Sequence, residues 1–586
     1  MADLLIRGGT LIDGTGAPGR RAEVEVTAGR ISAVHDASDG PGSSPTGAAA
    51  VIDAGGLIVT PGFVDPHTHY DAQLFWDPEA SPSSEHGVTT VLAGNCGFTL
   101  APLRPDDADY LRRMMARVEG MPLRALEDGV PWAWETFAEY LDALEGGIAV
   151  NAGFLVGHCA LRRYVMGADA VGRAATPAER DAIAAQLDTA IGAGGLGLST
   201  TLAYTHADGD GRPVASRWAD REELLALCRV VGAHPGTTLE GIVDGCLDTF
   251  SDDEIDLLAT MSATAGRPLN WNVLTVDAAA PDRVPRQLEA SDRAAAMGGR
   301  VVALTMPVLV PMNMSFRNHC ALFLLPGWSE ELGVPVPERM RRLADPAVRH
   351  RLAARAASDD AGVLRRLTRW ADYVIGDTFS PANAGLRGRR VGEIAAETGR
   401  DPFEVLCDVV CADELRTVLW PSATDNDPAS WALRRRVWED PRVLLGGSDA
   451  GAHLDRMCGA PYPTRFLADM LRGRRLLPLE RAVQLLTDAP ARLFGLRDRG
   501  RVAPGAWADL VCFDPERIGS GPATLVEDLP GGAARLAADA LGVEHVLVNG
   551  VPIRRDGRST GARPGRVLRS GRDTDTVPTT AAPAAA

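Results

Sequence analysis

The chain contains no lysine; all 60 of its basic residues are arginine. Chemistry that depends on a lysine amine is therefore excluded. No Schiff base can form, and no carboxylated lysine can bridge a pair of metal ions. Other absences narrow the field. No stretch of about 18 uninterrupted apolar residues exists, so no membrane span is readable. The N-terminus meets Asp3 and Arg7 at once and lacks the apolar core of a signal peptide. No long basic block offsets the net charge of -17, which argues against nucleic acid or an anionic membrane as partner. Arg341-Arg342 and Arg387-Gly388-Arg389-Arg390 are short and read as solvated faces. The nine cysteines form no framework-like pattern, so a disulfide scaffold is not expected and a reducing cytoplasm fits.

What is present is the composition of a soluble globular protein, 45% hydrophobic and 23% charged, and a repeated unit. Residues 1–58 read as short strands, with Glu23-Val24-Glu25-Val26 in alternation and a Gly/Ser/Pro/Ala-rich loop over 36–49. From 61 to 490 the pattern becomes strand, loop, helix. Thr176-Pro177-Ala178-Glu179 caps a helix predicted to run to Ile191, and Leu196 to Thr200 is the next strand. Asp220 to Val231 and Gly236 to Glu240 repeat the unit, as do Ala294 to Met297 and Val301 to Thr305. This alternation predicts an α/β chain with a parallel sheet, and the number of units predicts a (β/α)8 TIM-like barrel.

The expected division is a small β-sandwich domain from 1–58 and 491–575, a barrel over 59–490, and a disordered tail over 576–586 rich in Thr, Ala and Pro. Residues 326–400, arginine-rich and helical around Glu338 to Ala357, read as an insertion serving as a lid or a subunit contact. A homo-oligomer is left open.

The most informative stretch is Thr60-Pro61-Gly62-Phe63-Val64-Asp65-Pro66-His67-Thr68-His69. On a strand, residues i and i+2 share a face, so both imidazoles are expected on one side, with Asp65 and Asp71 beside them. Such a pair begins a divalent metal site.

That flank resembles the amidohydrolase superfamily, metal-dependent hydrolases on a TIM barrel with His-x-His at the end of the first strand. The opening Leu5 to Gly16 is similar to their N-terminal strand pair, Gly446-Gly447-Ser448-Asp449 to the aspartate closing the eighth strand, and Gly500 to Val511 to the return into the β domain. Gly94-Asn95-Cys96-Gly97-Phe98 and Val156-Gly157-His158 resemble the N-acyl-D-amino-acid deacylase (D-aminoacylase) branch. The resemblance implies metal ligation by His67, His69, Cys96 and Asp449, with Asp449 also the catalytic proton shuttle. It also implies a divalent cofactor, zinc foremost, as one or two ions. Within that branch histidines follow the fifth and sixth strands. This chain instead has Glu240, in Thr238-Leu239-Glu240-Gly241, and Asn272, in Asn270-Trp271-Asn272-Val273. Glu240 is expected as an oxygen ligand, which shifts preference away from zinc, and Asn272 as a substrate or weak metal contact.

Further substrate-binding candidates are His158, His453, Arg456 and Arg317. With no lysine present, an arginine must grip any substrate carboxylate. Tyr462 and Trp271 are candidates for the pocket wall or for the core. The leading expectation is hydrolysis of a non-peptide C–N bond, that of an N-acyl (D-)amino acid or related linear amide, with a small-molecule amide as substrate. A cyclic amidase of the hydantoinase or dihydroorotase kind is the alternative enzyme; those barrels commonly lean on a lysine. A barrel without metal, acting as a binding or scaffold protein, is the alternative from another class.

Overall fold

The two ends of the chain meet in one sheet. The computed structural model describes residues 2–36 and 48–580, so most of the loop expected over 36–49 lies outside the described residues. Strands β1 (Leu4–Leu11), β2 (Arg20–Thr27), β3 (Arg30–Asp36), β4 (Ala50–Asp53) and β5 (Ile58–Pro61) come from the N-terminal segment. β5 pairs antiparallel with Leu510–Phe513, placing Pro61 opposite Leu510. Strands Val543–Val548, Val551–Arg555 and Arg558–Ser559 extend the sheet to nine strands. Alternation along these strands buries Leu4, Ile6, Val24 and Val26 with Leu510, Cys512 and Leu547 in an apolar cluster of their own.

The middle of the chain forms parallel strands with helices between them. In order these are β6 (Phe63–Asp65), β7 (Val88–Ala93), β8 (Asn151–Phe154), β9 (Val156–Gly157), β10 (Gly197–Thr201), β11 (Thr238–Ile242), β12 (Pro268–Trp271), β13 (Arg300–Thr305) and Val443–Leu445. β6 to β8 form one parallel ladder and β9 onward another, with only Leu155 between the two. Val64, Leu92, Leu155, Leu196, Val302, Leu304 and Leu444 pack in one buried cluster, so residues of the first and last of these strands touch a common core. The helix expected after Thr176 is Pro177–Gly192, and its capping box is present: the Thr176 hydroxyl accepts from Glu179 N–H while Glu179 accepts from Thr176 N–H.

Between β13 and Val443–Leu445, helices Trp328–Leu332, Val336–Ala344, Pro346–Ala356, Val391–Thr398 and Pro402–Ala412 surround a separate apolar cluster running from Met314 to Leu419. The helical run expected around 338–357 is two helices. Pro346 has no N–H to continue the first, and the Asp345 side chain accepts from Ala347 N–H to start the second.

Of the tail expected to lack order, the first residues are tied down. The Thr576 hydroxyl accepts from Gly236 N–H, Val577 is buried, and the Thr579 hydroxyl donates to the Gly298 carbonyl; residues 581–586 lie outside the described residues. All nine cysteines are free. Among the described residues no helix is long and apolar enough to cross a membrane.

Candidate metal centre

β6 ends at Asp65, because Pro66 offers no N–H to extend the ladder. His67 and His69 therefore sit on the segment just past the strand. That segment is held from both sides. Thr68 N–H donates to the Leu92 carbonyl (2.9 Å) and Asn95 Nδ2 to the Thr68 carbonyl (3.0 Å). His69 N–H donates to the Ala450 carbonyl (2.7 Å), and Asp449 N–H to that of His67 (3.2 Å). Gly451 (φ +91°) lies against the His69 carbonyl, where any Cβ would collide, so the sharp turn after Asp449 requires glycine.

The result is a buried knot of donors. One ligand atom from each of His67, His69 and Cys96 lies within 4.8 Å of the others. Cys96 Sγ is 3.5 Å from His67 Nε2. Asp449 Oδ1 is 3.2 Å from His67 Nε2 and 3.8 Å from His69 Nε2. Asn272 Nδ2 is 3.3 Å from His67 Nε2. Glu240 Oε2 accepts from Cys96 N–H (2.9 Å), while among the described residues Glu240 Oε1, Asn272 Oδ1 and Nδ1 of both histidines have no hydrogen-bond partner. Six of the expected residues thus converge: His67, His69, Cys96, Glu240, Asn272 and Asp449. His453 belongs to the same neighbourhood, since its N–H donates to the Glu119 carbonyl and its Nδ1 lies 3.1 Å from Arg456 Nη2.

Two expected residues stand apart. Both ring nitrogens of His158 are taken, Nδ1 by the Thr200 hydroxyl (2.9 Å) and Nε2 by Glu223 (2.7 Å), inside a network completed by Arg162. Arg317 is exposed. Tyr462 and Trp271 are fully buried core aromatics. Arg456 is buried too, donating to the His319 carbonyl and lying 3.5 Å from Asp455.

Two residues that the sequence reading passed over also face this region. Glu119, 3% exposed, brings Oε2 to 3.6 Å from His69 Nε2. His206 packs on Phe98 and is held at Nδ1 by the Thr201 hydroxyl (2.8 Å). His206 lies five residues beyond the end of β10, a place just past a strand that the sequence itself marks. Glu119 lies in the segment between β7 and β8, far along the chain from either strand end, and no local pattern marks it.

Burial governs the electrostatics. It pushes Asp65 up to about 6, and Asp71 and Glu240 up to about 7. It raises the Cys96 thiol well above its usual range, and Glu119 likewise, with Asp449 adding to the rise in both. It holds His69 well below its ordinary value and His206 down to about 3, so both imidazoles are neutral. Burial also opposes the charge on Asp449, but the hydrogen bond and charge of His67 override it and keep this carboxylate below its ordinary range.

A divalent ion fits these residues. Ligation needs neutral imidazoles and deprotonated thiol and carboxylate oxygens. Here a neutral histidine, orphaned polar atoms and buried acids share one water-poor spot that holds no lysine.

A model of the amidohydrolase family matches residues 50–554. The chain belongs to the amidohydrolase family. It is 31% identical over 590 residues to a D-aminoacylase of Alcaligenes xylosoxydans xylosoxydans, covering 97% of both chains. It is 32% identical to an N-acyl-D-aspartate deacylase of the same organism, covering 98% of this chain and 96% of the other. The fold is similar to that of the Bordetella bronchiseptica N-acyl-D-glutamate deacylase in complex with zinc and a phosphonate inhibitor. Its TM-score is 0.62 at 26% identity, covering 97% of this chain and all of the other. This amidohydrolase is an enzyme of carbon–nitrogen bonds other than peptide bonds.

Proposed function

We propose that the chain deacylates an N-acyl-D-amino acid, releasing the acyl group as a carboxylic acid and the amino acid as a free amine. The observation that carries this reading is the convergence of His67, His69 and Cys96 beside Asp449. His67, His69, Cys96, Glu240 and Asp449 would hold the metal, zinc foremost, as one or two ions. The lone oxygen of Glu240 stands where its relatives' branch uses histidine. When bound, such an ion supplies Lewis acidity, polarising the amide carbonyl and acidifying nearby water.

The chain's own residues do the proton work. Asp449 is ionised and within reach of both histidines, so it begins as a base and takes a proton from the attacking water. As the C–N bond breaks, it returns that proton to the leaving nitrogen. Asn272 offers an amide to the substrate, and Arg456 supplies the cationic end of the site, with His453 beside it as a neutral imidazole. Arg317 and His158 remain outer candidates, Arg317 through its exposed side chain on the loop past β13.

We read the parallel strands as a closed barrel, supported by the shared cluster of Val64 and Leu444. The nine-stranded sheet is read as the terminal β domain (1–58 and 491–575), with 59–490 as the barrel and 326–400 inserted in it. Nine free thiols favour a reducing cytoplasm.

The test is release of free amino acid from matched N-acyl-D and N-acyl-L substrates, before and after chelation and metal return. Turnover of the D series that follows metal content supports the reading. Indifference to chelation, or turnover of cyclic amides alone, contradicts it.

A further inference from the structure

Glu119 occupies a place that packing alone does not explain. It ends the helix Ala108–Val118, with its N–H bonded to the Met115 carbonyl, so a carboxylate sits at the negative end of a helix dipole. It is 3% exposed. A buried carboxylate is costly unless a cation or hydrogen-bond donors satisfy it. The partner it does have is His69 Nε2 at 3.6 Å, and that same nitrogen is 3.8 Å from Asp449 Oδ1. Two ligands bound about 2.0–2.2 Å from one ion lie roughly 3–3.6 Å apart, so the Glu119–His69 separation suits neighbours around a shared metal, and Asp449 Oδ1 stands just beyond that range.

The backbone holds Glu119 in this position. Its carbonyl accepts from His453 N–H, and Gly120 (φ +59°) lies where the Arg456 guanidinium fills the space a side chain would need. The segment is therefore clamped onto the loop that follows Asp449. The Glu119 backbone cannot shift without moving His453 and Arg456.

We propose that Glu119 is a metal ligand, pairing with His69 and Asp449 as a carboxylate-rich half of the centre opposite Cys96 and Glu240. This rests on the hydrolase reading above. It gives a chain that lacks histidines after β11 and β12 an added hard oxygen donor from a segment outside the strands. The chemistry favours ions that accept mixed imidazole and carboxylate ligation, such as zinc, manganese or cobalt.

The test is equilibrium binding of Zn²⁺ and Co²⁺ to metal-free wild type and Glu119→Gln, by competition with a chromophoric chelator, together with melting curves. The isosteric amide removes the charge without opening a cavity. Glu119→Gln should lose at least about tenfold in affinity. Its metal-free melting temperature should match or exceed that of wild type, while the rise on adding metal shrinks. A residue that merely supported the loop would do the reverse, lowering the metal-free melting temperature and leaving the metal-induced rise intact. Wild-type affinity in Glu119→Gln, with wild type itself binding, overturns the assignment and leaves the hydrolase reading standing. Wild type that takes up neither ion removes both. Should Glu119→Gln fail to fold, Glu119→Asp keeps the charge but shortens the reach; unchanged affinity there also overturns the assignment.

Discussion

Two buried sites in this molecule pair histidine with carboxylates, and they differ in how their polar atoms are used. Around His158, both ring nitrogens and both oxygens of Glu223 are engaged, by Thr200, Arg162 and each other. Around His67 and His69, Nδ1 of each ring, one oxygen of Glu240 and the carbonyl of Asn272 are left without partners. Unmet buried polar atoms are destabilising; among the described residues several gather around His67 and His69, whereas in the His158 network Arg162 Nε is unmet. The first site holds helix His158–Met166 against its neighbours. The second is where we propose that the metal binds.

If this contrast is right, substitutions should separate stability from metal binding. The largest effect belongs to the double variant His67→Ala and His69→Ala. It should abolish stoichiometric metal and turnover while the far-ultraviolet circular dichroism stays that of the wild type. Next, Asp449→Asn should lower kcat/KM by roughly 10²–10⁴-fold, the range of a lost acid–base group. Steady-state kinetics at saturating metal checks it, and near-normal turnover would remove Asp449 as the shuttle.

At the other site, Glu223→Ala leaves Arg162 and His158 buried without their acid. It should cost about 3–5 kcal/mol in denaturant unfolding yet leave metal per folded chain unchanged. Metal loss in that variant would break the comparison.

Two smaller effects sharpen it. Arg456→Met should raise KM roughly tenfold to a hundredfold, with kcat moving less, if the guanidinium grips a substrate carboxylate. Acid stability reports on Glu223. Burial raises its carboxyl, but His158 and Arg162 outweigh that and hold it below the ordinary 4.5. A depressed folded value means stability that is full above about 4.5 and is lost as pH falls through the folded value. Glu223→Gln should therefore flatten the acid limb of a stability–pH profile below about 4.5, leaving the neutral region parallel.

Much of this was legible in the chain. The Pro-Gly turn, the His-x-His and the Gly-Gly-Ser-Asp run mark strand ends by residue type alone, and His67, His69, Cys96 and Asp449 do meet. Strand and helix positions followed from apolar runs and caps such as Thr176 with Glu179. A histidine after a strand, such as His158, reads the same whether its nitrogens are free or taken; Thr200 and Glu223, the latter 65 residues later, take them in the fold. Glu119 was invisible because its meaning comes from a tertiary clamp on His453 and Arg456. The helical stretch expected around Glu338 to Ala357 is divided at Pro346, a signal present in the sequence.

The most direct test is the metal content of freshly purified protein by inductively coupled plasma mass spectrometry. The account predicts about one or two equivalents of a divalent ion per chain, lost in the His67 and His69 double variant. Protein that arrives without metal and takes up no added Zn²⁺, Mn²⁺ or Co²⁺ would contradict it.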